Sequence, residues 1–141
     1  MSMGNALAAI VGVGRTKFGE HWNISPERMI MEAGLNAIMS VEKGIGRRDV
    51  QAFYVGSLIL GRTSNMATLG AYLSRELSVD VPIVSFTSSS AALYNAMRSE
   101  FDVAVVGGLE KMTDAYVSIN ELLSSTIDLF EADAGFNLTG L

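Results

Sequence analysis

The stretch Val81-Pro-Ile-Val-Ser-Phe-Thr-Ser-Ser-Ser-Ala-Ala-Leu93 decides the fold. A short apolar run passes without a linker into a segment opened by hydroxyls, which predicts a strand, a tight turn and a capped helix. Many α/β enzymes set a nucleophile at such a junction, beside the free N–H groups of the helix N-terminus. Phe86 stands at the crest of this turn and carries no nucleophilic atom. Pro82 cannot donate to a strand ladder, so the run over residues 82–85 is expected to start an edge strand. The helix is expected over residues 88–99, and Ala91, Ala92 and Ala96 leave part of its surface shallow.

Outward from this junction, apolar runs alternate with helical periods, the pattern of an α/β chain with a parallel sheet and crossover helices. Strands are expected over residues 8–13, 52–55, 82–85 and 103–106, the last closed by Gly107-Gly108. The second is expected to resume after Gly56 as an extended Leu58-Ile-Leu60. A first helix opens at Ser25, an N-cap residue, followed by Pro26 and by Glu27 in its first turn. Its apolar stripe runs through Ile30, Ala33, Gly34, Ala37, Ile38 and Val41, with Gly44 or Gly46 as its expected end. A second helix runs from Ser64 or Asn65 to Leu77, burying Leu69, Tyr72, Leu73 and Leu77, and a last one spans 119–130.

The 141 residues suit one domain, large enough to bury a core of its own. Hydrophobic residues make up 49% and mean hydropathy is +0.31, an excess expected to be apolar surface covered by another subunit. No apolar run approaches the roughly 20 residues of a membrane span. The run Ala6-Leu-Ala-Ala-Ile-Val has no basic region before it and meets Arg15 and Lys17 after it, which favours a strand over a leader. Cytoplasm is the expected location. With no cysteine, disulfides, thiolate catalysis and zinc–thiolate sites are excluded together, and one histidine, His21, makes no cluster for a metal. The net charge is −5 and Arg47-Arg48 is the one basic doublet, which argues against nucleic acid as a partner.

The motifs weigh mostly towards structure. Gly12-Val-Gly-Arg-Thr-Lys17 opens like a dinucleotide fingerprint, but Lys17 replaces the third glycine and no acid follows at the right distance. A tight turn is expected there, and backbone crowding at Gly107-Gly108. Thr87, Ser88, Ser89 and Ser90 lack an adjacent base and are expected to cap a helix. Glu110, just past a strand end, is expected to satisfy nearby backbone donors, and His21 beside Trp22 to form a loop pair. Asp128, Glu131 and Asp133 fit no ligand loop and are expected as a solvated face.

Three stretches then carry a resemblance: Ile10-Val-Gly-Val-Gly-Arg-Thr-Lys-Phe-Gly19, Ala52-Phe-Tyr-Val-Gly56 and Asp102-Val-Ala-Val-Val-Gly-Gly-Leu-Glu-Lys-Met-Thr113. Together they resemble the N-terminal half of the thiolase superfamily, nearest to sterol-carrier-protein-2-type and archaeal acetyl-CoA acetyltransferase-like members. The resemblance implies half of a thiolase-like fold over residues 1–141, with 114–141 beginning a loop region. It implies a mostly parallel sheet of about four strands in the order 3-2-1-4, strand 3 at the edge and helices on both faces. Members of the family read Ala-Cys-Ala-Ser-Gly-x-Ala-Ala-Leu where this chain has Ser85, Phe86, Thr87, Ser88, Ser89, Ser90, Ala91, Ala92 and Leu93. The acyl-accepting cysteine thus falls on Phe86, and Ser85, Thr87, Ser88, Ser89, Glu110 and Met112 become the neighbours of a degenerate site.

A phenyl ring cannot form an acyl-enzyme. The family's later half supplies the histidines and second cysteine of catalysis, and the chain is expected to lack it. Association is the expected role, as a homodimer or higher oligomer. Pro82, Ile83 and Val84 would pair across the edge, and Ala91, Ala92 and Ala96 would pack against a further partner. The alternative is one subunit of a split acyl-CoA thiolase or retro-aldolase, completed by a thiolase C-terminal half or a small acyl-CoA-binding protein. A further alternative, ranked last, is an acyl-CoA binding module without turnover; no cofactor and no metal is expected.

Overall fold

The computed structural model describes residues 7–63, 66–116 and 118–124. Helix α1 (Pro26–Met39) begins as its sequence dictates, with the Ser25 hydroxyl accepting from Arg28 N–H and Pro26 where a missing N–H costs nothing. It ends before either candidate glycine, because the Ser40 hydroxyl donates to Ala37 O at 2.8 Å and turns the chain out of the helix. Strand β1 (Ala52–Gly56) leads to a short helix α2 (Leu60–Thr63) and then to α3 (Met66–Leu77). Strand β2 (Ile83–Phe86) enters α4 (Ser89–Met97), β3 (Ala104–Gly108) follows, and α5 (Ile119–Ser124) closes the described chain. The start proposed for the second helix at Ser64 or Asn65, and the end of the last one, lie outside the described residues.

The three strands form one parallel sheet in the order β2-β1-β3. Phe53 stands against Ile83 and Val105, and Gly56 against Phe86 and Gly108. Every residue of β1 is buried, as a central parallel strand requires, since helices cover both of its faces. Phe53 and Val55 point into a core with Ile30, Met31, Leu69, Leu73 and Leu77 from α1 and α3. Ala52 and Tyr54 point the other way, against Ala92 of α4. The parallel α/β architecture with helices on both faces is as expected, and among the described residues β2 lies at an edge of the sheet.

The strand expected over residues 8–13 is not in the sheet. Its slot beside β1 is filled by β3, paired along all five residues, so the order 3-2-1-4 becomes a direct 3-2-4 in the terms of the sequence. Residues 8–13 instead lie extended and largely exposed, fastened to α1 where Val13 N–H donates to the Ser40 hydroxyl at 2.8 Å. A Cβ on Gly12 or Gly14 would overlap the backbone of α1 at Ala37 or Ala33, so this Gly-x-Gly pair serves close approach to a helix. The expected extension Leu58-Ile-Leu60 is also a turn into α2. The glycine pair at 107–108 lies inside β3 rather than after it.

Candidate functional site

The C-terminal ends of β1, β2 and β3 converge on the α4 N-terminus. Ser88 is the N-cap, its hydroxyl accepting from Ala91 N–H at 3.1 Å, so one of the hydroxyls already serves the helix. Thr87, Ser88 and Ser89 are exposed, as is Ser85 in the edge strand. Phe86 turns back over the sheet and stacks on Tyr54, ring centroids 6.2 Å apart and planes within 13°. Its carbonyl accepts from Ser57 N–H at 2.9 Å, which joins the crest of the turn to the end of β1. The α4 N-terminus sits low because β1 and β3 end in glycine: a Cβ on Gly56 would overlap Ser88 and Ser89, and one on Gly108 the Ser89 side chain.

Glu110 performs the backbone role expected of it. Its carboxylate accepts from the Ser57 hydroxyl at 3.2 Å, from Leu58 N–H at 2.5 Å and from Ile59 N–H at 3.4 Å. The Ser57 hydroxyl in turn accepts from Leu60 N–H at 2.9 Å. These bonds cap α2 and bend the chain after β1. Met112 is half-buried in the following turn, where its carbonyl accepts from Ala115 N–H at 3.3 Å.

Beside them lies a pair that the sequence reading did not single out. Lys111 and Asp114, three residues apart, form a buried ion pair at 2.6 Å. The Lys111 ammonium also donates to His21 O at 2.9 Å and to Asp114 O at 3.0 Å, and His21 N–H donates to the Asp114 carboxylate. The hydrogen bond from Lys111 holds the Asp114 carboxyl below its ordinary range; burial opposes this and the His21 N–H assists it. The His21 ring sits with Nε2 2.7 Å from Lys17 O, a geometry in which that nitrogen donates. Trp22 meets Tyr116 edge-on at 5.3 Å, and the Tyr116 hydroxyl donates to Trp22 O at 3.0 Å. His21 and Trp22 are thus a loop pair docked on residues 111–116. Only the Lys-x-x-Asp spacing after Glu110 could have signalled this.

The shallow alanine face is also placed differently from its expected use. Ala92 is fully buried against Ala52 and Tyr54, and Ala96 packs towards the same cluster, because the small side chains let α4 settle on the sheet. Ala92 therefore belongs to this chain's own core and not to an interface. Ala91 is half-buried, and the large apolar groups that α4 exposes are Leu93 and Tyr94, at 39% and 55%. At the other candidate interface Pro82 and Val84 are exposed on the β2 edge and Ile83 is half-buried. Among the described residues no three His, Asp or Glu side chains converge on a metal position, and no helix is long and apolar enough to cross a membrane. Asp128, Glu131 and Asp133 lie outside the described residues.

The acetyl-CoA acetyltransferase of Methanocaldococcus jannaschii is 31% identical over 94% of this chain. The chain is thiolase-like. The acetyl-CoA acetyltransferase of Methanothermobacter thermautotrophicus, 29% identical over 94% of the chain, agrees. No protein-family model matches. The thiolase-like chain spans only 36% and 37% of the lengths of these two relatives.

Proposed function

We propose that this thiolase-like half-domain is catalytically inactive and acts by association, first of all with itself. The observation that carries this is Phe86, stacked on Tyr54 at the position where the family's resemblance calls for the acyl-accepting cysteine. The hydroxyls around it offer no substitute: Ser88 caps α4, and the His21 ring is engaged at Lys17 O. Glu110 is engaged with the turn after β1. Intact-mass measurement after exposure to acetyl-CoA tests it, with no covalent acetyl adduct expected. A stoichiometric adduct on Thr87, Ser88 or Ser89 contradicts the reading.

A second reading is supported by Leu93 and Tyr94, exposed on the outer side of α4. It makes the chain one component of a split acyl-CoA thiolase or retro-aldolase, completed by another polypeptide lying over α4. Carbon–carbon cleavage that needs no acyl-enzyme tolerates Phe86. Purification from the native host separates the two readings. Co-purification of a thiolase C-terminal half or a small acyl-CoA-binding protein supports the second, and self-association alone supports the first.

A further inference from the structure

We infer that residues 15–24 form a strap that opens and closes as one unit with residues 111–116 while the sheet and its helices stay folded. The device is internal to one chain and does not depend on the association reading above. Both ends of the strap are fastened to α1: the Asn36 amide donates to Arg15 O at 3.4 Å, and Ser25, which follows the strap, is the N-cap. Between those ends no residue is buried, and Phe18 is 88% exposed. The strap therefore has no apolar core of its own, and its middle is held by hydrogen bonds to residues 111–116. Segments held this way open locally at less cost than strands and helices that bury apolar side chains.

The other side of the contact is built differently. Lys111 and Asp114 are 7% and 4% exposed, and His21 of the strap gives an acceptor to one and a donor to the other. Lifting His21 removes both bonds together and lets water reach the pair, so the two sides release in one step. Burying two charges costs much of what their attraction returns, which leaves the closed state only slightly favoured. The backbone is also set for movement. Gly19 turns the strap at φ 147°, and Tyr116 lies at φ 59°, in the left-handed region that a bulky residue enters at a cost. That cost is offset by the Tyr116 hydroxyl on Trp22 O and by its ring against Trp22, contacts that belong to the closed strap. The core ends just before this unit: Leu109 N–H donates to Gly56 O at 3.3 Å, and Glu110 holds the turn after β1. Opening thus bares the Lys111 ammonium and the Asp114 carboxylate immediately beyond Glu110, at the C-terminal end of the sheet.

Amide hydrogen exchange followed by NMR on the intact chain tests this. The N–H groups of His21, Ile24 and Ala115 are bonded inside the unit, and that of Phe53 in the central strand. The expected result is one shared protection factor for the first three, about tenfold or more below that of Phe53. It should be nearly independent of low urea, because little surface opens. Asp114→Asn should lower the three by a common factor of about tenfold and shift Trp22 emission to the red, with helical circular dichroism unchanged. Tyr116→Phe, which leaves the buried pair intact, should lower the same three together by about threefold. Three unrelated protection factors in the parent overturn the inference, as does a steep urea dependence shared with Phe53. A Tyr116→Phe effect confined to Ala115 overturns it too, and so does loss of the helical signal along with strap release in Asp114→Asn.

Discussion

Glu110 is exposed, yet its carboxylate accepts from three donors in the turn after β1. Glu110→Ala leaves those donors to water, which gives an expected loss of about 1 kcal/mol in a urea titration, at the low end for a charged acceptor because the site is wet. Asp114 behaves differently because it is buried with Lys111. Its folded-state pKa is depressed, so the unfolded chain binds the proton more readily. The pair's contribution is therefore full above the unfolded value of about 3.9 and is lost as pH falls through the lower folded value. Trp22, the single tryptophan, reports directly on this contact through Tyr116. Acid titration of its fluorescence should show loop release below about pH 4 in the parent, and a weaker pH dependence in Asp114→Asn. Lys111→Met, which strands a buried carboxylate, should cost about 3 kcal/mol at neutral pH.

At the scale of elements, glycine and alanine positions set how closely helices approach strands. A Cβ at Gly56 would overlap the Ser88–Ser89 backbone, and neither strand nor helix N-terminus can yield cheaply. Gly56→Ala should therefore cost about 1–3 kcal/mol by overpacking. Gly34, inside α1 with open space where its Cβ would be, should respond oppositely. Gly34→Ala should stabilise by about 0.5–1 kcal/mol through backbone entropy, and thermal melts of the two variants check the contrast. The caps were legible in advance: Ser25 and Ser88 occupy the positions their side chains favour. The pattern of small residues in α4 was legible too, but not its direction. Sequence spacing shows that Ala92 and Ala96 share a helix face, whereas only the packed sheet shows that this face is turned inward.

For the whole molecule, apolar surface is the dominant unsettled quantity. Leu93 and Tyr94 on α4, and Ile10 and Val11 in the extended segment, remain in water in the single chain. Association that covers them links stability to concentration, so Tm should rise by several degrees between about 1 and about 100 µM protein. A concentration-independent Tm measured by scanning calorimetry would count against association through any of these surfaces. The junction at 81–93, the parallel α/β pattern, the edge position of β2 among the described residues and the lack of a nucleophilic atom in Phe86 were determined by the sequence alone. They depend on local periodicity, capping and the chemistry of single side chains. The exclusion of residues 8–13 from the sheet, the burial of Ala92 and the Lys111–Asp114 clasp on His21 were decided only by the tertiary structure. A strand-forming segment cannot signal which edge is already occupied, and a buried ion pair exists only once a distant loop closes over it.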